Sequence, residues 1–261
     1  MTTTYLAHLP ASGLRDKTVK MTTKSIADFE AWREGRDLSA SLLTDWRDHL
    51  GRKHLSPRTK NTELARVKAA LNWMRKREQH GLDASTIGDV LTAFPVDREA
   101  PRVLSRDEIA SLATACKGSE TGRTVMALLV TGMRHEELMT LTPANLIEQG
   151  IEVRAANSKN RQGRVIPWFL IGNARPLFQP LPFVYDKHHW DKIRERSGVD
   201  VPLKAMRSTA ATYLAFWGKM PLIAVAKVMG HTMDVLERNY LGAALFDLKG
   251  DSMPEIMGIT L

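Results

Sequence analysis

The sequence predicts a mainly α-helical protein of two domains that contains one small β-hairpin. Apolar residues recur at helical spacing through most of the 261 residues. A segment with two prolines and no periodicity, residues 94–103, separates two such helical regions. Between residues 151 and 167, two short runs rich in β-branched residues flank a polar, turn-rich centre. We therefore expect a helical bundle over residues 21–93, a linker over 94–103 and a second domain over 104–261.

The composition limits the class of protein. Hydrophobic residues make up 43% and charged residues 25% of the chain, as in ordinary globular proteins. The net charge of +8 favours a polyanionic partner, and nucleic acid fits better than a membrane surface. The single cysteine, Cys116, excludes an internal disulfide framework and is expected to be a buried thiol in a helix. With no signal peptide and no run long enough to span a bilayer, we expect a cytoplasmic protein without membrane contact.

The first domain is expected to contain four short helices, which follow a loosely ordered arm over residues 1–20. Gly51 is expected to close the second helix, and Ser56 followed by Pro57 is a strong start signal for the third. Trp46 and Trp73 are interpreted as core residues rather than as platforms for stacked bases. The apolar positions that define the helices are, in order, Ile26, Phe29 and Trp32; Leu42, Leu43, Trp46 and Leu50; Leu64, Val67, Leu71 and Met74; and Ile87, Val90 and Leu91.

Positive charge is concentrated on and before the third of these helices. Between Arg47 and His80 the chain has ten lysines or arginines and three acidic residues. A solvated helix face normally mixes the two signs, so we predict contact with a DNA backbone, and a plain solvated surface is the alternative. The predicted DNA-binding residues here are Arg47, Arg52, Lys53, Arg58, Lys60, Arg66, Lys68, Arg75 and Lys76.

The second domain begins with a capping box, Ser105 to Glu108, and continues in a hydrophobic helix that ends at Gly132. Arg134 opens another short helix. The predicted β-hairpin places its strands at residues 151–153 and 164–167 and carries a basic tip between them. The adjacent pair His188 and His189 has no Cys or carboxylate at ligand spacing, so no metal site is predicted.

Four polar residues near the C-terminus suggest a site for a phosphate and a hydroxyl nucleophile. Lys204 and Arg207 lie three apart on one stripe of a predicted helix, where like charges repel unless an anion lies between them. His231 and Tyr240 follow, with Tyr240 on the apolar face of the last predicted helix. On this stretch alone, the alternative is that His231 and Tyr240 are core-edge residues and the two cations form a solvated face.

Together with two upstream segments, these residues resemble the tyrosine recombinase (phage integrase) family. The resemblance covers residues 105–240 by motif, and the first domain looks like the core-binding domain of the family by pattern only. The matching pieces are Thr131-Gly132-Met133-Arg134-His135-Glu136-Glu137-Leu138, Lys159 with Arg164-Val165-Ile166-Pro167, Lys204-Ala205-Met206-Arg207, Gly230-His231 and Tyr240.

The resemblance implies a site-specific DNA recombinase that works without metal or energy cofactor. Tyr240 would be the nucleophile, and its 3′-phosphotyrosyl ester stores the phosphodiester energy until a 5′-hydroxyl reverses the reaction. Arg134 and Arg207 would clamp the non-bridging oxygens of the phosphate as charge builds up on them. Lys159, on the hairpin, would protonate the leaving 5′-oxygen as general acid. His231 would bind a phosphate oxygen.

Three further residues have less definite roles. Glu137 would support the site from one turn after Arg134, and the alternative is an acid that only satisfies the start of its helix. Arg161 and Arg164, in the hairpin, are predicted DNA contacts.

Two features depart from the usual pattern of the family. The position of Lys204 is most often histidine, and an ammonium group titrates at about 10.4 against about 6.5 for imidazole, so lysine is the poorer base. Lys204 therefore acts either as the base or only as a phosphate contact. The interval of 73 residues from Arg134 to Arg207 is short, so the chain resembles a compact two-domain member without the additional N-terminal domain of larger integrases.

The resemblance also implies partners. These are double-stranded DNA and further copies of the chain, with four protomers joining two duplexes in a synapse. The tail, residues 241–261, is expected to dock in part on a neighbouring protomer, and packing on its own protomer is the alternative. Two competing functions remain: a type IB topoisomerase-like enzyme, which shares the chemistry without synapsis, and a DNA-binding protein of this fold that does not cut.

Overall fold

The computed structural model describes residues 2–97, 101–158, 162–218, 220–240, 254, 257 and 258, with only the backbone for residues 2 and 237–240. The chain divides into two compact units, residues 1–98 and 99–261. The division falls inside the segment that the sequence predicts as a linker. The described part is mainly α-helical with one small antiparallel sheet, so the predicted fold class is confirmed. None of its helices is long and apolar enough to cross a membrane.

Unit 1 is a bundle of helices around one apolar core. Side-chain oxygens of Ser39, Ser56 and Asp83 accept hydrogen bonds from backbone N–H groups at the starts of α3, α4 and α5. The predicted start of the third helix at Ser56 and Pro57 is confirmed, whereas Gly51 lies inside α3 rather than after it. The elements are α1 (Thr2–His8), a 3₁₀ turn (Leu9–Ser12), α2 (Asp16–Arg33), α3 (Ala40–Arg52), α4 (Pro57–Arg75) and α5 (Ala84–Val90).

The prediction of a loosely ordered arm over residues 1–20 is wrong for the residues that the structure describes. α1 and the 3₁₀ turn after it bury Tyr5 and Leu9 in the core of unit 1. The ring of Tyr5 meets Trp73 edge to face, with 5.4 Å between the ring centroids. α2 begins at Asp16, before the first residue with helical periodicity. Two buried side chains spaced by four residues are too few to produce a sustained periodic pattern, although they suffice to anchor a short helix.

Unit 2 consists of helices and a three-stranded antiparallel sheet in the order β1-β2-β3. The predicted hairpin is confirmed as β2 paired with β3, with Ile151 opposite Ile166. The two-residue strand β1 is too short to show the alternation that predicts a strand. The elements are α6 (Arg106–Cys116), α7 (Glu120–Thr131), α8 (His135–Met139), a 3₁₀ turn (Pro143–Asn145), β1 (Leu146–Ile147), β2 (Gly150–Val153), β3 (Arg164–Pro167), α9 (Trp168–Ile171), a 3₁₀ segment (Gly172–Phe178), α10 (Lys187–Ser197), α11 (Lys204–Phe216), α12 (Leu222–Met229) and α13 (Met233–Tyr240).

The core of unit 2 fixes the helices that carry the candidate site. α7 is buried on nearly all sides and packs against α6 and α11. The capping box at Ser105 forms as predicted, with Glu108 accepting from the Ser105 backbone N–H at 2.8 Å. Cys116 is buried at the end of α6, and burial raises the pKa of its thiol to about 12, as expected of a structural cysteine.

Candidate active site

The C-terminus of α12 is the point at which three of the predicted catalytic residues, Arg134, Arg207 and His231, meet. The helix ends at Met229, and Gly230 follows in the left-handed conformation, with φ of 61°. The backbone N–H of His231 turns back to the Ala226 carbonyl at 2.9 Å. This turn leaves the carbonyls of residues 228–230 pointing away from the helix, and a helix C-terminus carries partial negative charge.

Each of these three consecutive carbonyls accepts a hydrogen bond from a different arginine. Arg164 Nε donates to the carbonyl of residue 228 at 2.8 Å, and Arg134 Nη2 donates to that of residue 230 at 3.1 Å. Arg207 Nη2 donates to the carbonyl of residue 229, between them. One helix end thus gathers three guanidinium groups, because its unpaired carbonyls and its partial charge both favour cations.

Arg207 lies in the first turn of α11 and joins three parts of the site. Its Nη1 donates to the carbonyl of Gly132, two residues before Arg134. Its Nη2 lies 2.6 Å from His231 Nε2. A guanidinium can only donate, so Nε2 accepts this bond and the imidazole proton is on Nδ1. The geometry therefore requires a neutral His231.

The electrostatics of the site agree with that protonation state. Burial lowers the pKa of His231 to about 3, helped by the positive charges of Arg207, Arg134 and Arg164 and opposed by Glu137. The imidazole is therefore neutral over the whole physiological pH range.

The shifted His231 predicts how stability depends on pH. The pKa is lower in the folded protein than its ordinary value of about 6.5, so unfolding takes up a proton below that pH. The stabilisation is complete above pH 6.5 and is lost as the pH falls toward 3. The free energy of unfolding, measured with denaturant between pH 7.5 and 5, should change less with pH for His231→Gln than for wild type. Toward pH 5, the difference between the two slopes should approach the uptake of one proton on unfolding.

Measurements above pH 5 also separate the contribution of His231 from that of Glu137. The pKa of Glu137 is about 2, so this carboxyl stays ionised in the folded protein over the whole range. His135, whose pKa burial also lowers, is present in both proteins and cancels in the comparison. The exposed His189→Gln variant removes a surface imidazole and is measured alongside as the matched control for the loss of a histidine as such. Equal slopes for wild type and His231→Gln would contradict the assignment of a neutral, buried imidazole.

Glu137, in the first turn of α8, is a buried ion-pair partner of two arginines. Its side chain is 1% exposed, and its Oε1 accepts from Arg134 Nη1 at 2.7 Å. Its Oε2 accepts from the backbone N–H of Arg134 at 3.0 Å and from Arg164 Nη2 at 2.7 Å. Burial raises the pKa of Glu137, but the hydrogen bonds and charges of the two arginines outweigh it and lower the pKa to about 2. Glu137 therefore caps the start of α8 and holds the Arg134 guanidinium at the same time.

Lys204, the first residue of α11, is exposed and borders the same cavity as Arg134 and Arg207. The cavity has a volume of about 290 Å³, and His135 and Tyr185 also line it. The ring of His135 meets Tyr185 edge to face at 4.8 Å between centroids. Lys204 and the two arginines therefore border one cavity.

Three predicted site residues fall outside what the structure describes. Lys159 and Arg161 lie in the part of the hairpin beyond the described residues. Tyr240 is the last residue of α13, and its side chain is outside the described part of the chain. The structure brings Arg134, Arg207, His231 and Glu137 together and places the backbone of Tyr240 at the end of the next helix.

Arg164 differs from its prediction as a DNA contact. Its side chain is only 7% exposed, and its guanidinium is bound by Glu137 and the carbonyl of Val228. This buried position does not fit the predicted DNA contact of Arg164. In the sequence Arg164 stands in a segment that matches the family, but nothing in that segment shows that its side chain binds Glu137.

The predicted DNA-binding residues of unit 1 divide by their surroundings. Arg47 and Lys60 both lie over the ring of Phe94, at 4.8 and 5.6 Å from its centroid. Others make local contacts: Arg66 pairs with Glu63, Lys68 binds the carbonyl of Gly88, Arg75 binds Asn72, and Lys53 lies over Trp46. The remaining three, Arg52, Arg58 and Lys76, are exposed.

The two tryptophans take different positions. Trp46 is buried, as predicted. Trp73 is half-buried and stacks against the guanidinium of Arg77, which lies 3.7 Å from the ring centroid.

Among the described residues, no group of three or more His, Cys, Asp and Glu side chains is placed to hold a metal ion.

Comparison with known proteins places the fold. No protein-family model and no curated protein matches the sequence. Among solved structures, residues 75–356 of lambda integrase, a dimer bound to a COC′ core site, are similar with a TM-score of 0.69 and 15% identity, covering 94% of this chain and 96% of that one. Residues 82–397 of the Tn1549 transposon integrase, in complex with circular intermediate DNA, give 0.67 and 19%, covering 94% and 95%.

A third similar structure is a lambda integrase tetramer bound to a Holliday junction. Its TM-score is 0.68 at 13% identity, and the match covers 88% of this chain and 76% of that one. At these identities the likeness shows the fold, which this chain shares with both integrases.

Proposed function

We propose that this protein is a site-specific DNA recombinase of the tyrosine recombinase type, which cuts and rejoins DNA strands through a 3′-phosphotyrosyl intermediate. The observation that carries the proposal is the convergence of Arg134, Arg207 and His231 on the C-terminus of α12, with His231 nine residues before Tyr240. The likeness of the fold to two DNA-bound integrases supports it. The proposed place of action is DNA in the cytoplasm.

In the proposed reaction, the Tyr240 oxygen attacks a DNA phosphorus and the 5′-oxygen of the next nucleotide leaves. The transition state carries extra negative charge on the non-bridging oxygens, which Arg134 and Arg207 would stabilise. Arg134 donates two of its five guanidinium N–H groups to the described protein, and its side chain is 22% exposed. It therefore has donors left for a phosphate. A neutral His231 would hold the Arg207 guanidinium through Nε2 without adding charge to the site.

Two lysines are proposed to transfer protons or to bind the phosphate. Lys159, between β2 and β3, would protonate the leaving 5′-oxygen as general acid. Lys204 borders the cavity beside Arg134, where it would contact the same phosphate or take the phenol proton of Tyr240. No step in this scheme uses a metal ion or an energy cofactor.

The test of this proposal uses wild-type protein and a pool of nicked duplexes with randomised arms, so that no recognition sequence has to be assumed. After cleavage, the short strand beyond the nick diffuses away, and the phosphotyrosyl ester can no longer be reversed. Wild type is expected to retain DNA through boiling in SDS, and the retained DNA should converge on one pair of inverted half-sites. Absence of SDS-resistant DNA across the pool would favour a DNA-binding protein that does not cut.

A second assay separates recombination from relaxation. Two duplexes that carry the selected site and different labels are incubated together with the wild-type protein. Recombinant products are expected if protomers assemble a synapse. Relaxation of supercoiled DNA without any recombinant product would favour a type IB topoisomerase-like enzyme.

The proposed partners are double-stranded DNA and further copies of the chain, up to four in a synapse. DNA contact in unit 1 is assigned to the basic residues of α3, α4 and the turns after them. In the second unit, the described tail residue Met257 is buried in the core of its own chain. The proposal of docking on a neighbouring protomer therefore concerns residues 241–253, which lie outside the described part of the structure.

Serine substitutions at three apolar tail positions test that docking. A Leu245→Ser, Phe246→Ser, Leu248→Ser variant is expected to bind one half-site as wild type does, but to lose assembly on paired sites. Its unfolding temperature should stay unchanged, because Met257 is retained. Native gels with one-site and two-site duplexes measure both quantities. Unchanged assembly on paired sites would contradict docking between protomers.

A further inference from the structure

We infer that Arg164 is a positioning residue for the proposed reaction, linking strand β3 to Glu137 and to the end of α12. This inference rests on the proposed function. Arg164 is the first residue of β3, the strand that follows the hairpin segment with Lys159. It is not assigned to contact DNA; it would act through the groups that it holds.

The contacts of Arg164 join three elements at one buried point. Its Nη1 and Nη2 donate to the two oxygens of Glu137 at 3.1 and 2.7 Å, and its Nε donates to the carbonyl of Val228 at 2.8 Å. This arrangement is a two-pronged arginine–carboxylate pair plus a hydrogen bond to a helix end. Lysine would carry the same charge, but its ammonium group cannot match the planar geometry of these three acceptors.

Gly230 makes room for this arrangement. A Cβ atom at Gly230 would lie 3.1–3.2 Å from Nη1, Cδ and Cζ of Arg164, closer than side chains normally approach. Gly230 also has a φ of 61°, which lets the chain turn sharply from α12 toward His231. The guanidinium of Arg164 is thus packed against the turn that places His231, and the two positions depend on each other.

The buried negative charge of Glu137 explains why this carboxylate needs a second arginine as a partner. Each Glu137 oxygen accepts one bond from Arg134 and one from Arg164. If Arg164 were absent, the buried carboxylate of Glu137 would have only Arg134 as a cationic partner. The Arg134 guanidinium would then bind both carboxylate oxygens. Arg134 would then lose donors that the phosphate needs. Arg164 therefore shares the negative charge of Glu137 and leaves Arg134 partly available to the substrate.

The consequence is a specific kinetic pattern. A small misplacement of a catalytic group costs on the order of 10²-fold in rate, while binding of the DNA backbone depends on many other contacts. We expect Arg164→Met to form the covalent adduct about 10²-fold more slowly than wild type in single-turnover assays on the selected nicked duplex. Its DNA dissociation constant should change less than about 3-fold, since the Arg164 side chain is only 7% exposed and is already bound by Glu137 and the Val228 carbonyl, and DNA binding depends on many other backbone contacts. Arg164→Lys should fall between the two proteins in rate.

A double-variant comparison separates positioning through Glu137 from a general loss of structure. Glu137→Gln is expected to slow cleavage, and adding Arg164→Met should slow it little further, because both changes break the same link. Arg154→Met is the matched control: Arg154 follows β2 of the same sheet, is 54% exposed and pairs with exposed Glu152. Thermal unfolding of every variant is measured alongside, and Arg164→Lys is expected to stay folded because it retains the buried charge.

The outcomes test the positioning role of Arg164 separately from the proposed function. Slow cleavage by Arg164→Lys and Arg164→Met with retained DNA affinity, and no extra loss in the double variant, supports the inference. Wild-type cleavage rates in both variants overturn it and leave the proposed function standing. Multiplicative losses in the double variant, or a loss of DNA affinity equal to the loss in rate, also overturn it. If wild type itself forms no adduct, the proposed function fails and the inference fails with it.

Discussion

Tyr240→Phe is expected to abolish covalent attachment of DNA while leaving DNA binding unchanged. The substitution removes only the phenol oxygen, which is the atom that would bond to phosphorus. Removal of a catalytic nucleophile typically costs on the order of 10⁴-fold or more in rate, so no adduct should accumulate. The measurement is the amount of SDS-resistant adduct on the selected nicked duplex, followed over hours and compared with the binding constant of the same duplex.

The control for this experiment is a second tyrosine that keeps its packing. Tyr5 is buried in the core of unit 1, against Trp73, and Tyr5→Phe retains the ring that makes this contact. Tyr5→Phe should form the adduct at the wild-type rate. Adduct formation by Tyr240→Phe at a rate near wild type would mean that another group is the nucleophile.

Arg207→Met is expected to have the second largest effect. Arg207 contacts the carbonyls of Gly132 and Met229 and the Nε2 of His231, so it both supplies charge and fixes its neighbours. Loss of a cation that stabilises a phosphoryl transition state costs about 10³-fold or more in rate. We expect single-turnover cleavage to slow by at least that factor. Arg207→Lys should recover only a small part, because an ammonium group cannot bind two phosphate oxygens side by side.

A surface arginine of the same unit serves as the comparison. Arg196 is exposed at the end of α10, where it binds the carbonyl of Ala115 in α6. Arg196→Met should cleave at the wild-type rate. If Arg207→Met lost less than about 10-fold in rate while remaining folded and DNA-bound, the proposed role of Arg207 in the transition state would be wrong.

The parts of the fold that could be predicted are those encoded by near neighbours in the chain. Ser56 with Pro57 and Ser105 with Glu108 start helices through contacts within one turn, so a local pattern identifies them. The short helix that buries Tyr5 could not be predicted this way, because its burial depends on Trp73, which is distant in the chain. The strand β1 has only two residues and forms because β2 is beside it.

In the candidate site, too, residues in local motifs could be predicted, and contacts between distant parts of the chain could not. Arg134, Arg207 and His231 could be singled out because they stand in motifs, and the structure brings all three to one helix end. The position of Arg164 could not be foreseen, since its partners lie 27 and 64 residues away in the chain. Nor does any motif show that three consecutive carbonyls would each accept a different arginine. That arrangement depends on where α12 ends relative to α8, α11 and β3.

The central claim is that the Tyr240 oxygen bonds to a DNA phosphate held by the arginines at the end of α12. The most direct measurement is mass spectrometry of the trapped adduct after digestion of both protein and DNA. The chain has four tyrosines, at positions 5, 185, 213 and 240, which fall in separate peptides. A nucleotide attached through its 3′-phosphate to Tyr240 is the predicted result. A nucleotide attached to any other residue, in a protein that cleaves DNA, would contradict the claim.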